Sequence, residues 1–420
     1  MQWSSRAMLR LLIVNILDRE EKIMDEQITT LASLTIDGKG SYGIGASAVP
    51  FSKDLYTYLR ITDIKDDGTL NLQDLKSVDD EKASEYLLKP NDIVFARTGA
   101  STGRNYFYDG TDGEFVYAGF LIKFSIDKKK VNPKYIKYFC QSKQYKDWIN
   151  SFNTGSTRGN INAQTLGKMP IPLIERKTQD ALVCILSSID EKINKNNEIN
   201  NNLEQQAQAY YQKLFVDNAS SKWVSGTISD LGTVIGGSTP SKAKPEYYTE
   251  TGIAWITPKD LSVNKSKFIA HGENDITELG LKNSSAVIMP KGTVLFSSRA
   301  PIGYIAVASG EVTTNQGFKS IVPNAEIGTA FVYCFLKHNL PIIEGMASGS
   351  TFKEVSGSTM KNVPAIIPDS ETLGRFNDFC NPFFAQQQIL EEQNQRLSSM
   401  RDNLLPKLMS GEIDVSDIEL

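Results

Sequence analysis

The chain has 420 residues, 40% of them hydrophobic and 22% charged, with a net charge of −4 at neutral pH. That length predicts two or three domains of ~100–200 residues each, and that composition excludes a disordered chain. An acidic balance excludes a global basic footprint, so any nucleic-acid surface must be local.

The N-terminal run Arg6-Ala7-Met8-Leu9-Arg10-Leu11-Leu12-Ile13-Val14-Asn15-Ile16-Leu17 has the outline of a signal peptide but no small-x-small cleavage site, and it runs into Asp18-Arg19-Glu20-Glu21-Lys22. A short amphipathic helix is expected there. Residues 1–23 are read as an N-terminal extension, with Met24 opening the first domain. No apolar run approaches the ~20 residues of a membrane span. Cys140, Cys184, Cys334 and Cys380 form no C-x-x-C, and Cys140 and Cys334 fall at equivalent places in a repeat described next. Reduced, buried thiols in a cytoplasmic protein are expected.

Much of the chain is said twice. Pro90-Asn91-Asp92-Ile93-Val94-Phe95-Ala96-Arg97-Thr98-Gly99-Ala100-Ser101-Thr102-Gly103 is matched by Pro290 to Gly303, 200 positions on. Gly119-Phe120 and Gly317-Phe318 are 198 apart, and Gly155/Gly349, Pro170/Pro364, Leu203/Leu397 and Leu214/Leu408 are 194 apart. A period this long is not a solenoid, whose units run ~20–50 residues. It is a duplicated domain. Expected divisions are a first domain over 24–175, a central spacer helix over 176–217, a second domain over 218–369, and a C-terminal spacer helix and tail over 370–420.

Within each copy the pattern is α+β. Tyr56–Ile61 and Asp92–Ala96 read as strands. Pro133–Phe139, matched by Thr329–Leu336, reads as a short helix. Extended proline segments follow at Met169-Pro170-Ile171-Pro172 and Val363-Pro364-Ala365-Ile366. After each domain, apolar positions step by three and four as in a coiled-coil seam. In the first copy the seam includes Ile193, Asn200, Leu203, Tyr210 and Leu214; in the second it includes Phe383, Leu390, Asn394, Leu397, Leu404 and Leu408. A helix from Thr178 to Phe215 would span ~55 Å at ~1.5 Å per residue. A seam asparagine costs stability and can fix register, so Asn200 is expected to pair with its equivalent, Asn394. Asn381-Pro382 reads as a helix start, and Pro406 as a kink or end.

Neither histidine, His271 or His338, has a partner at metal-ligand spacing, and no carboxylate pair stands out. Gly232-Thr233-Val234-Ile235-Gly236-Gly237 has the wrong spacing for a dinucleotide fingerprint, and no P-loop is present. Polar loops carrying arginine are more informative. Arg97, Thr98, Ser101, Thr102 and Arg104 follow one strand, and Ser156, Thr157, Arg158 and Asn160 form a second loop. Their counterparts are Ser297, Ser298, Arg299 and Tyr304, then Ser350, Thr351 and Lys353. Arginine can grip guanine edges with two bonds, and hydroxyls suit phosphates. The same loops also serve as plain tight turns, and residue type leaves both readings open. From Lys89 to Asp147 there are eleven Lys/Arg against six Asp/Glu, a local excess of positive charge. The Lys128-Lys129-Lys130 run reads as a solvated turn.

Taken in order, these segments resemble the specificity subunit of type I restriction–modification systems over nearly the whole chain. The resemblance rests on Tyr58-Leu59-Arg60-Ile61-Thr62-Asp63-Ile64, Asp92 to Arg104, and Gly155-Ser156-Thr157-Arg158 leading to Pro170-Ile171-Pro172. In the second copy it rests on Trp255-Ile256-Thr257-Pro258-Lys259-Asp260-Leu261, Leu295 to Gly303, and Leu404-Leu405-Pro406-Lys407-Leu408-Met409-Ser410-Gly411-Glu412-Ile413. It implies two similar target recognition domains, each a twisted β-sheet with short helices, separated by two long helices paired as an antiparallel coiled coil. It also implies a chain that is not itself catalytic. Such a chain reads a bipartite, gapped DNA target, and two adenine-N6 methyltransferase subunits and the restriction translocase subunits assemble on it. S-adenosylmethionine, ATP and Mg would belong to those partners, with no cofactor or metal in this chain. Arg60, Thr62 and Lys259 join the expected DNA-contacting residues on this resemblance. Arg97, Arg104 and Arg158 are expected on one half-site, and Arg299, Tyr304 and Lys353 on the other. The alternative reading is a coiled-coil scaffold with two protein-binding domains. An autonomous methyltransferase or nuclease would need a cofactor loop or carboxylate–metal cluster, and the sequence shows neither.

Overall fold

The computed structural model describes residues 27–72, 74–152, 160–349 and 353–415. The N-terminal extension, 1–23, therefore lies outside the described residues. Two compact units result: residues up to 191 together with those from 398 on, and residues 192–397.

In the first unit, alternation along Asp92–Ala96 sets the plan. All five residues are buried. Ile93 and Phe95 face one core, with Tyr135, Ile136 and Leu186, while Val94 and Ala96 face another, with Leu59, Tyr117 and Leu121. Successive strand residues point to opposite faces, so a strand covered on both sides reads as one apolar run. This strand lies inside an antiparallel sheet ordered Ser41–Tyr42, Leu121–Ser125, Asp92–Ala96, Asn105–Tyr108. A second sheet runs Ala48–Pro50, Lys76–Val78, Tyr56–Leu59, Phe115–Tyr117, its last pair parallel. A ribbon of Gln27–Thr30 with Pro170–Leu173 completes the domain. Lys128, Lys129 and Lys130 are an exposed turn, as expected.

The second unit repeats the scheme. Its sheets run Gly232–Gly236, Lys319–Pro323, Val294–Ser298, Ile302–Ala308, Phe268–Ile269 and Tyr248–Thr249, Asn274–Ile276, Ile253–Ile256, Thr313–Thr314. Its ribbon pairs Val224–Thr227 with Pro364–Ile367. The glycine run over 232–237 is thus an edge strand and its exit. A Cβ on Gly237 would lie 2.0 Å from the Asn315 carbonyl oxygen, and one on Gly43 2.3 Å from that of Tyr117, so both copies need glycine at this crossing. All four cysteines are free thiols, and three are buried. Cys140 follows its helix N-cap, Asn132, by eight residues, and Cys334 follows Gly328 by six. The two cysteines therefore do not share a helical position, and their alignment in sequence is corrected by half a turn.

The central helix runs Arg176–Tyr211 and continues as a π-helical turn to Asp217. The C-terminal helix runs Ser370–Met409. Its start is capped by Asp369, whose carboxylate accepts the Thr372 N–H at 2.8 Å. The helix start expected at Asn381-Pro382 is therefore corrected by about three turns. Pro382 and Pro406 sit inside the helix on its exposed face, and so do Asp378 and Asp402, whose carbonyls each proline leaves unbonded. Water can satisfy those groups, which makes an interior proline tolerable.

Both units pair their share of the two helices antiparallel. In the first, Asp190 accepts hydrogen bonds from Lys137 (2.9 Å), the Tyr138 hydroxyl (2.9 Å) and Arg401 (3.2 Å). Burial pushes the Asp190 carboxyl up, but Lys137, Tyr138 and Arg401 together hold it below its ordinary value. A group lowered in this way stabilises the fold above the ordinary carboxylate range and stops doing so as pH falls through its folded value. Asp190→Asn is expected to cost about 1–3 kcal/mol, the range for stranding charged partners. It should also flatten the loss of stability between about pH 5 and 3. Urea midpoints measured across that range test both.

In the second unit, Asn196 donates to Asn394 (2.8 Å), and Asn394 donates to Asn197 (2.8 Å). Gln387 donates to the Asn200 carbonyl (3.1 Å). The expected Asn200–Asn394 pair is therefore replaced by one a helical turn earlier on the central helix. In an antiparallel pair, a step forward on one helix is a step back on the other, so equivalent residues need not meet. Ile193, Leu203, Tyr210, Leu214, Asn394, Leu397 and Leu404 are half-buried, and Asn200, Leu390 and Leu408 are buried.

This unit also holds a charge cluster with no sequence signature. Lys267 is only 7% exposed. Its ammonium reaches Glu204 (2.8 Å) and Gln387 (2.9 Å) and lies 3.2 Å from the centre of the Phe384 ring. Glu391 accepts the backbone N–H groups of Lys267 and Phe268.

Candidate nucleic-acid interface

In the first unit, strand Asp92–Ala96 delivers Arg97 to a point where four distant segments meet. The Arg97 N–H donates to the Phe120 carbonyl (3.0 Å), and the Arg97 carbonyl accepts from Ile161 (2.9 Å). Thr98 bridges to Asn160. The Arg97 guanidinium lies 5.2 Å from the centre of the Tyr42 ring, and the Tyr42 hydroxyl accepts from the Ala163 N–H (3.1 Å). Arg97 Nε is buried with no hydrogen-bond partner among the described residues. Phe120 is 59% exposed. The loop itself is held by the Thr102 hydroxyl on the Gly99 carbonyl and by Gly103, whose φ is 87° and where a Cβ would lie 2.4 Å from Ile149.

The structure thus gathers Arg97, Thr98 and Asn160. Ser101 is buried behind them. Ser156, Thr157 and Arg158 lie outside the described residues. The other two arginines are committed elsewhere. Arg60 bonds Asp63 (2.6 Å) and the Asp74 carbonyl (2.7 Å), and Arg104 bonds Asp66 (2.7 Å). Thr62 is exposed.

In the second unit the matching backbone bonds are Ser298 N–H to the Gly317 carbonyl (2.7 Å) and Val355 N–H to the Ser298 carbonyl (3.0 Å). The counterpart of Arg97 is therefore Ser298, not Ser297. The copies are already 201 apart before the strand, where the Gly292 N–H bonds the Ala308 carbonyl (2.9 Å) as the Asn91 N–H bonds that of Tyr108 (2.9 Å). Both serines are fully buried. Ser297 donates to the Pro301 carbonyl (2.9 Å) and accepts the Tyr304 N–H, while Ser298 donates to the Gly317 carbonyl. Their hydroxyls are used internally, which corrects the expectation that they face a ligand.

The cationic side chain moves one residue on, to Arg299. Arg299 (3.5 Å) and Lys319 (3.4 Å) share Glu354, which also closes the base of the loop through backbone bonds with Ser348. Ser350 and Thr351 lie outside the described residues. Lys353 is exposed, Lys265 lies 4.4 Å from the centre of the Tyr304 ring, and Lys259 pairs with Glu273 (2.6 Å). Tyr42, Phe120, Gln316, Lys319 and Glu354 were not singled out from sequence. Only the repeated Gly-Phe pair hinted at the turn carrying Phe120 and Gln316. Among the described residues no group of three or more His, Cys, Asp or Glu is placed to hold a metal ion, and no helix is long and apolar enough to cross a membrane.

Each unit is thus an α+β domain that presents polar, cationic loops at strand ends and is packed on a pair of long helices. That makes the chain a duplicated recognition protein. The chain belongs to the family of the type I restriction modification DNA specificity domain, whose family model matches it twice, over residues 52–205 and 220–399. It is 41% identical over 179 residues to the type I restriction enzyme MjaIX specificity subunit of Methanocaldococcus jannaschii, a match covering 40% of this chain and 41% of that one. It is 23% identical over 403 residues to the HindI specificity subunit of Haemophilus influenzae, covering 78% and 87%. The crystal structure of a type I restriction–modification S subunit from M. genitalium shares the fold, with a TM-score of 0.57 at 19% identity, covering 92% of this chain and 96% of that one.

Proposed function

We propose that this chain is the DNA-reading subunit of a type I restriction–modification complex, contributing specificity and no chemistry of its own. In this reading each unit reads one half of a bipartite, gapped target, and the helices carry adenine-N6 methyltransferase subunits and, through them, the restriction subunits. S-adenosylmethionine, ATP and Mg belong to those partners. The observation that carries the reading is the repetition of one frame with different side chains at its loops. Arg97 over Tyr42 stands in one copy, and Arg299 with Lys319 around Glu354 in the other. A shared frame suits equivalent docking of a partner, and unlike loops suit unlike half-sites, since base edges are told apart by donor and acceptor pattern.

Expressed with its host's methyltransferase subunit, the chain should direct N6-methyladenine to one gapped motif with unrelated halves. Arg158→Ala should change one half only. Methylome sequencing that finds an undivided motif, or none, contradicts the reading.

A further inference from the structure

We infer that one β-turn, present in both units, is a base-reading element: Phe120 at its tip takes a thymine methyl group, and Gln316 in the other copy takes an adenine edge. This rests on the DNA-reading function proposed above. The turns occupy the same backbone slot. The first N–H of each bonds the parallel neighbour of the strand before it, Ala118 to the Leu59 carbonyl (3.0 Å) and Asn315 to the Ile256 carbonyl (3.0 Å). The turns close on themselves through Leu121 to Ala118 (2.8 Å) and Phe318 to Asn315 (3.2 Å). The third residue of each receives the strand-end N–H, from Arg97 onto Phe120 and from Ser298 onto Gly317. Each turn is thus tied beside its unit's cationic loop and presents its tip with little freedom left to lose on binding.

The fourth residue, Leu121 or Phe318, is fully buried and serves the core. Each tip joins one glycine, closely approached by its neighbours, to one larger residue, in opposite order: Gly119-Phe120 and Gln316-Gly317. A Cβ on Gly119 would lie 3.1 Å from the Ile44 carbonyl oxygen, and one on Gly317 2.9 Å from Pro258. The larger tip residue differs in kind, Phe120 in one copy and Gln316 in the other. Phe120 exposes an apolar side chain, and its carbonyl takes the N–H of Arg97, whose Nε has no hydrogen-bond partner among the described residues. Gln316 is exposed, with its carbonyl oxygen held by the Thr239 hydroxyl and Lys319 reaching its backbone carbonyl at 3.3 Å. In the major groove the thymine methyl is the apolar feature a phenyl ring can cover, and an amide matches adenine N6 and N7 with two bonds.

The test uses the full chain with its methyltransferase partner and duplexes carrying the motif found by methylome sequencing. Replacing thymine by deoxyuridine, one position at a time, removes only the methyl group. Wild-type binding should fall roughly three- to tenfold at one thymine in one half-site, about the worth of one buried methyl group. Phe120→Ala should bind that weakly from the start and show no further response to deoxyuridine. Gln316→Ala should lose roughly tenfold or more of its adenine preference in the opposite half, as expected when a two-bond contact is lost. Wild type indifferent to every thymine methyl overturns the assignment of Phe120 without any variant. So does a Phe120→Ala protein that loses co-purification with the methyltransferase while reading DNA normally. A wild-type complex with no gapped motif would instead fail the underlying functional reading.

Discussion

Replacement of Lys267 by methionine lowers the unfolding free energy of the second unit by about 3–5 kcal/mol, the cost of removing one partner from a buried charge cluster. Methionine keeps the side-chain length, so the loss comes from the charge, which lies over the Tyr333 (4.2 Å) and Phe384 (3.2 Å) rings. In the native protein, burial pushes the Glu204 carboxyl up, but Lys267 holds it below its ordinary value. Glu391 stays above its ordinary value because burial outweighs the backbone N–H groups and Lys267. Burial also lowers the Lys267 ammonium, against Glu204. The signs then follow. Glu204 stabilises the fold above the ordinary carboxylate range and ceases to as pH falls through its folded value, whereas Glu391 favours the fold increasingly as pH falls. Without Lys267, both carboxyls are governed by burial. The variant should therefore gain stability between about pH 7 and pH 5, a range in which Glu204 gives the native protein no such gain. Adding Glu204→Leu should recover much of the loss, because an apolar replacement of a whole buried pair is often neutral. Denaturant midpoints read by tryptophan fluorescence at both pH values decide it. A variant within about 1 kcal/mol of native, with the same pH slope, would show the cluster to be incidental.

Why the sequence reveals the frame and hides this cluster is a matter of range. Strand Asp92–Ala96 and the stepping of Leu186, Ile189, Asn196 and Asn200 are local patterns, set by the strand period of two and the helix period of 3.6. Lys267 follows Lys265-Ser266 and reads as one more solvated lysine. Its meaning depends on Glu204, 63 residues before it, and Glu391, 124 after it. Register is hidden for a related reason. Aligned by residue type, Arg97 falls on Ser297 and Phe120 on Phe318. Matching backbone bonds instead pair Arg97 with Ser298 and Phe120 with Gly317, slips of one residue in opposite directions that residue type does not show. The prolines misled in the opposite direction. Pro382 carries a helix-start signal that the Asp369 cap overrides, because a helix already running can pass an exposed proline when water meets the freed carbonyl. The loops with Arg97 and Arg299 were legible as candidates. What each arginine faces, a tyrosine ring or a glutamate, was not, since those partners come from other strands and loops.

That difference in partners yields the second large effect. Arg97→Lys should cost the complex about 1–3 kcal/mol at a single base pair of one half-site, with the other half untouched. Lysine keeps the charge but cannot present the planar fork that grips guanine O6 and N7, and it stacks less well on a tyrosine face. A phosphate contact would behave otherwise. Lysine would then substitute nearly fully, and Arg97→Ala would weaken all sequences alike and reduce the salt slope by about one. The geometry favours base reading. The guanidinium is held over Tyr42 with Nε unsatisfied among the described residues, which is a costly arrangement for a residue that merely neutralises charge at a distance. Arg299 and Lys319, by contrast, already share Glu354, so part of their charge is spent before DNA arrives. Glu354→Gln should therefore steepen the salt dependence of binding, while Arg97→Lys leaves it unchanged. Anisotropy titrations over a salt series, with single base changes in each half, separate the two. If Arg97→Lys discriminates as the native chain does, the arginine touches phosphate and the specificity of that half must lie in its other loops.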